Sequence, residues 1–186
     1  MRGLLAVTCV LAMTGVSGAQ TTFNVLKGTN DFELAIEEDD STKACGIAAT
    51  SVREAVVQPL SSTGLKVSPV DMAKLFDTSH LGLVVSLKTK HGIYLSPDDR
   101  LKPRQLHQDI CVTNIQLMAL ANETISIKAT GYKGGAMIVL WMENKLVEPS
   151  DVSTHKHGVE KGTRELAEKF AADWVSDNKP KESPGK

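Results

Sequence analysis

The amino terminus constrains this chain more than any other feature, because it sets both the compartment in which folding takes place and the residues left to fold. Arg2 precedes an apolar run over residues 4–16, interrupted only by Thr8, Thr14 and Gly15, and Ser17, Gly18 and Ala19 put small side chains at the −3 and −1 positions of a cut before Gln20. That is the pattern of a cleaved export signal. A run of about 13 residues falls short of the roughly 20 that a helix needs to cross the hydrocarbon core, so residues 1–19 are expected to be a signal peptide and not an anchor. Cys9 lies inside the run, after Thr8, which argues against a lipid-modified cysteine. The expected location is the periplasm or the medium beyond it, after cleavage near Ala19.

Loss of the first 19 of 186 residues leaves 167, enough for one domain and its core. Basic and acidic residues nearly cancel at 21 against 22, and 41% of the chain is apolar, which excludes a disordered or collagen-like chain. Without a basic excess there is no electrostatic footprint for a nucleic acid. No further segment is long and apolar enough to be a transmembrane helix. A single domain is expected over residues 20–178, with a disordered tail over residues 179–186 that is rich in Pro, Lys, Ser and Gly.

Cleavage would leave two cysteines, Cys45 and Cys111, in an oxidising compartment, where a pair is the number that can bond. A bridge would close a loop of 66 residues, worth about 4 kcal/mol in the chain-entropy model. The alternative is two separate buried thiols, which pack as small apolar side chains.

Periodicity supplies the elements. Phe32, Leu34 and Ile36 alternate with Glu33, Ala35 and Glu37, a strand with one wet face, and the acids of residues 37–40 follow as a solvated turn. Ile47, Val52, Ala55, Val56 and Leu60 fall at helical spacing, predicting a helix over 47–63 with Ser51 and Glu54 as a capping box, a kink or an early end at Pro59 and Gly64 as the stop. A short strand over 65–67 leads to Ser68, Pro69 and Asp71, which would open a short helix ending near Phe76. Strands are expected over 83–88, 110–120, 124–129 and 136–142, with turns at residues 131–135 and 143–145. A polar loop separates the first two of these, over 96–109. Leu166, Phe170 and Trp174, flanked by Ala167, Ala171 and Val175, mark an amphipathic helix over 159–176. The fold class expected is α+β, a mostly antiparallel sheet with an N-terminal and a C-terminal helix packed on it.

With the export signal, the Cys45–Gly46 pair opening the first helix, the joint through Leu60, Gly64, Leu65 and Val67, and the ending through Lys169, Phe170, Asp173, Trp174 and Val175, the chain resembles small uncharacterised periplasmic proteins of proteobacteria. Its element order also resembles the amino-terminal domain of TolB and the peptidoglycan-synthase activator lipoproteins. The resemblance covers residues 30–178. It implies a binding or accessory role in the cell envelope, with a protein partner, and brings no catalytic residue.

Motifs for chemistry are sparse. There is no Gly-x-Ser-x-Gly elbow, no Cys-x-x-Cys, and the glycines of residues 131–135 precede a strand and not a phosphate-binding helix. No cofactor is expected. His155 and His157 stand two apart, so on an extended backbone both rings would face one side and share a zinc or copper ion with a third ligand such as His80, His91 or His107. His107, Asp109 and Ser96 can be drawn as a triad in the polar loop. Lys88, Lys90, Arg100, Lys102 and Arg104, set against Asp98 and Asp99, form a basic region that would suit an anionic partner.

The function expected is therefore a non-enzymatic, exported binding or accessory protein. The alternatives are a periplasmic metal-binding protein, or an enzyme whose site is assembled from dispersed polar residues around His107 or His155. An unpaired apolar sheet edge near residues 136–142 would mark a component that takes a partner strand.

Overall fold

The computed structural model describes residues 25–71, 75, 81–94 and 108–179. Its elements are β1 (Asp31–Glu37), α1 (Asp40–Ala44), α2 (Ala49–Ser62), β2 (Lys66–Pro69), β3 (Leu81–Tyr94), β4 (Gln108–Ile127), β5 (Tyr132–Asp151) and α3 (Val152–Asn178). The strands form a sheet in the order β2-β1-β3-β4-β5. The expected signal peptide, the tail from residue 180, the polar loop over 96–107 and nearly all of the expected short helix lie outside the described residues.

The architecture is α+β, but the sheet is mixed and not mostly antiparallel. β1 runs parallel to β2 on one side and to β3 on the other, while β3, β4 and β5 form an antiparallel meander. The reason is the connection between β1 and β2. A strand that leaves through a helix and returns to pair with the first strand comes back in the same direction, since a tight hairpin is the alternative only when no helix intervenes.

Strand alternation sorts the sheet into two faces. Phe32 and Leu34 of β1, Leu83, Val85 and Leu87 of β3, and Cys111, Ile115, Leu117 and Ala119 of β4 face the helices. They close over Val52, Val56 and Leu60 of α2 and Val159, Leu166 and Phe170 of α3. Phe170 is the hinge of this core, edge-on to Phe32 at 5.6 Å and to Trp141 at 5.1 Å between ring centroids. Trp174, expected in the core, is only partly buried, and its indole N–H donates to the Thr29 carbonyl at 2.6 Å. The opposite face carries a smaller cluster of Ala35, Leu75, Val84 and Leu120.

Several local expectations give way to tertiary contacts. α2 begins after Ala48, which has no side-chain cap, so Ser51 and Glu54 lie inside the helix and form no capping box. Pro59 lies inside the helix, three residues before its end at Ser62, and does not end it. Ser68 and Pro69 belong to β2, where they pair with Glu33 and Leu34. Glu143, Asn144 and Lys145 do not turn: β5 runs straight through them, opposite Leu117, Gln116 and Ile115. α3 starts seven residues before the expected boundary, at Val152, because Asp151 caps it through both carboxylate oxygens.

That early start lets α3 lie close on the sheet, and two glycines permit it. A Cβ on Gly158 would stand 2.8 Å from Val147 Cγ1, and one on Gly162 would stand 3.0 Å from Ile115 Cδ1. Cys45, at the end of α1, is bonded to Cys111 of β4 with a Cα separation of 6.0 Å.

Candidate functional site

Beside the disulfide, four elements bring hydroxyls and an imidazole into one line. Asp39 caps α1: its Oδ1 accepts from the Thr42 N–H and the Thr42 hydroxyl, both at 2.8 Å, and its Oδ2 accepts from the Thr89 N–H at 3.2 Å. Thr42 meets Thr89 at 3.0 Å, Thr89 meets Thr113 at 3.0 Å, and Thr113 meets His155 Nε2 at 2.8 Å. His155 Nδ1 lies 3.1 Å from the Ser150 hydroxyl. Thr89 and Thr113 are directly opposed across β3 and β4, on the face that carries the core.

The direction of each hydrogen bond follows from the carboxylate. Ionised Asp39 only accepts, so the Thr42 proton goes to it; Thr89 then donates to Thr42 and Thr113 to Thr89. The next donor in line is the His155 Nε2–H, which leaves Nδ1 to accept from Ser150. Burial pushes the His155 ring below its ordinary pKa, opposed by the Glu148 carbonyl, which favours the charged form. Burial raises the Asp39 carboxyl, but the hydrogen bonds from Thr42 and Thr89 outweigh it and hold the group below the usual carboxylate range.

Thr42, Thr113 and His155 are fully buried and Thr89 is 2% exposed. A substrate cannot touch these atoms in this conformation. What the line does chemically is satisfy buried polar groups where α1, β3, β4 and α3 converge, which the low local dielectric makes costly to leave unpaired.

The expected site residues scatter. His155 and His157 sit on α3, not on an extended segment, so their side chains diverge by about 200° around the helix axis. His155 points inward, whereas the His157 side chain is 80% exposed beside Glu160. The shared-ion geometry needs the extended backbone that the Asp151 cap removes, and among the described residues no group of three metal-ligating side chains assembles. His91 pairs with Asp109 at 3.6 Å; His80, His107 and Ser96 lie outside the described residues. In the basic region, Lys88 binds Glu37 at 2.9 Å, Lys90 is exposed on β3, and Arg100, Lys102 and Arg104 lie outside the described residues.

The broad feature is β5. It is the last strand of the sheet, and among the described residues nothing pairs with its outer edge. Twenty residues make an edge of roughly 66 Å. On the face away from the helices it presents Met137 (46% exposed), Val139 (52%), Met142 (53%) and Leu146 (63%), neighboured by Asn122, Leu120, Met118 and Asn114 of β4. Scattered exposed apolar residues are ordinary, but Met137, Val139 and Met142 follow one another along the sheet edge, with Leu146 beyond the polar Asn144, and an apolar edge of this kind is one that soluble proteins generally avoid. The expected apolar edge near residues 136–142 is thus present, and Leu146 lies beyond it on the same face, separated by Asn144.

Sequence reading missed Thr42, Thr89, Thr113 and Ser150. A signal existed for two of them: Thr89 continues the inward phase of Leu83, Val85 and Leu87, and Thr113 lies between the inward Cys111 and Ile115.

These features define an α+β chain with one helix-covered sheet face and a long, apolar last strand. Neither a family model nor a curated protein matches the sequence. Among solved structures, the chain is similar to the PelC dodecamer from Paraburkholderia phytofirmans, at 10% identity over 82% of this chain and 90% of that one, with a TM-score of 0.38. It is also similar to a minor lipoprotein from Acinetobacter baumannii, at 8% identity over 78% and 93% with a TM-score of 0.33. A third is protein XCC0632 from Xanthomonas campestris, described with the family model DUF330, at 6% identity over 80% and 85% with a TM-score of 0.38. None of the three is TolB.

Proposed function

We propose that this chain is an exported, non-enzymatic accessory protein of a bacterial cell envelope, and that it acts by offering β5 to another protein chain. The exposed Met137, Val139, Met142 and Leu146 on a last strand whose outer edge has no partner among the described residues carry this reading. An edge strand supplies free backbone donors and acceptors, and the apolar side chains beside it give area to bury, the combination used in β-strand addition. The cysteine bond suits an oxidising compartment, and the export pattern of residues 1–19 supplies the route.

The test is site-specific photo-crosslinking in the producing cell. A photoreactive residue is placed at Val139, Met142 or Leu146 and, as a control, at the exposed Glu54 of α2. Adducts at the β5 positions and none at Glu54 are expected. Equal labelling of all four, or none at β5, would remove the reading. Mass analysis of the same material is expected to start the chain at Gln20.

A further inference from the structure

We propose that the chain taken up by β5 is a second copy of this protein, paired antiparallel through residues 141–147 about a two-fold axis at Asn144. The inference rests on the reading of β5 as the docking surface and specifies its occupant.

β5 is interrupted twice in its pairing with β4. Leu140 is the extra residue where the register shifts between Ala119 and Leu120, and Glu148 with Pro149 is the insertion opposite the shift between Cys111 and Thr113. Bulges and proline blunt an edge by twisting it and removing a donor. Between these two guards lies one regular stretch, residues 141–147, and Asn144 is its centre.

The stretch is complementary to its own reverse. From the centre outward it places Asn144, then Glu143 against Lys145, then Met142 against Leu146, then Trp141 against Val147. In a two-fold antiparallel pair centred on Asn144, Glu143 faces the partner's Lys145 and Lys145 faces the partner's Glu143. Met142 and Leu146 meet across the axis on the open face, covering the two most exposed apolar side chains of the row. Asn144 meets its own copy.

Neighbouring registers lose this match. Centring on Glu143 sets that carboxylate against its own copy, and centring on Lys145 does the same for the ammonium; like charges directly opposed destabilise a strand pair. A slip by an odd number of residues sets the helix face of one copy against the open face of the other. The charges also continue inward: Glu143 is paired with Lys169 and Lys145 with Glu165, both from α3. The axis therefore joins two ion pairs into a row of alternating sign, with both helical layers on the same side of a continuous sheet.

The test uses the oxidised, processed chain in sedimentation equilibrium. The expected species is a dimer of twice the monomer mass. Replacing both open-face residues by lysine (M142K with L146K) opposes like charges across the axis and should raise the dissociation constant about tenfold or more. Combining M142K with L146E opposes unlike charges in the same register and should restore the dimer. As a register probe, Asn144→Cys should form a disulfide-linked dimer on its own, whereas Met142→Cys should do so only when mixed with Leu146→Cys. A monomeric wild-type chain at 100-fold the cellular concentration, or equal behaviour of the two lysine-containing pairs, overturns the inference. Crosslinks at β5 to a different protein, with a monomeric purified chain, would overturn self-pairing while leaving β5 as the docking surface.

Discussion

Replacing Thr113 by Val removes one hydroxyl and nearly nothing of the shape, which isolates the buried hydrogen-bonded line from the packing around it. The Thr113 oxygen accepts from His155 Nε2 at 2.8 Å and donates to Thr89 at 3.0 Å, and all three residues are at most 2% exposed. Without it the buried His155 Nε2 loses its partner, a cost of about 1–3 kcal/mol, while Thr89 loses a donor worth about 1 kcal/mol. The sum, roughly 2–4 kcal/mol, lowers the Tm of a domain of this size by roughly 5–15 °C. Urea unfolding followed through Trp141 and Trp174 measures it. Adding His155→Leu to the valine variant removes both members of the broken bond, so the double variant should lose less than the two single losses together. A T113V change below about 0.5 kcal/mol, or plain additivity in the cycle, would refute the line as a coupled network.

The same ring gives a pH signature. Desolvation by burial holds the folded-state pKa of His155 below its ordinary value of 6.5, with the Glu148 carbonyl acting the other way. The unfolded chain therefore binds more protons between the two values. Stability is complete above about pH 6.5 and declines as the pH falls toward the folded-state value, and His155→Leu should flatten this slope between pH 5 and 7.

Three further outcomes follow from other contacts. Cys45→Ser should destabilise the chain by about 4 kcal/mol through loss of the closed loop, seen as a fall in Tm that reductant reproduces in the wild type and no longer produces in the variant. Gly158→Ala gains about 1 kcal/mol of helix propensity but sets a methyl 2.8 Å from Val147 Cγ1; overpacking of about 1–3 kcal/mol makes it neutral to destabilising, and in a Val147→Ala background the same change should become stabilising. Glu37 is held below its usual pKa by hydrogen bonds from Ser86 and Lys88, so it adds stability above about pH 4.5 that is lost as the pH falls below it; Glu37→Gln should make acid unfolding shallower there.

Much of the fold was legible along the chain. Phe32, Leu34 and Ile36, then Leu83, Val85 and Leu87, showed period two and are strands; Leu166 and Phe170 showed a helical stripe and lie in the core. The parallel pairing was not anticipated: the sheet was expected to be mostly antiparallel, although a strand, a helix and a returning strand favour a parallel pair. Boundaries fared worse. Glu143, Asn144 and Lys145 carry a turn composition, yet they extend because Lys169 and Glu165 of α3 neutralise their charges and β4 supplies their backbone partners. The spacing of His155 and His157 suggested a metal-ligand pair because the partners His155 meets, Thr113 and Ser150, come from two other positions in the sheet.

The sequence by itself determined what each residue could face, because alternation and helical spacing depend only on backbone geometry; for Cys45 and Cys111 it left a bond or two separate thiols open, and the structure bonds them. Only the tertiary structure decided which faces meet. The order of strands, which leaves β5 last, and the line from Asp39 to His155 join residues tens of positions apart, and the free energy that selects such contacts comes from burial and desolvation in the assembled core, which no local window of sequence contains.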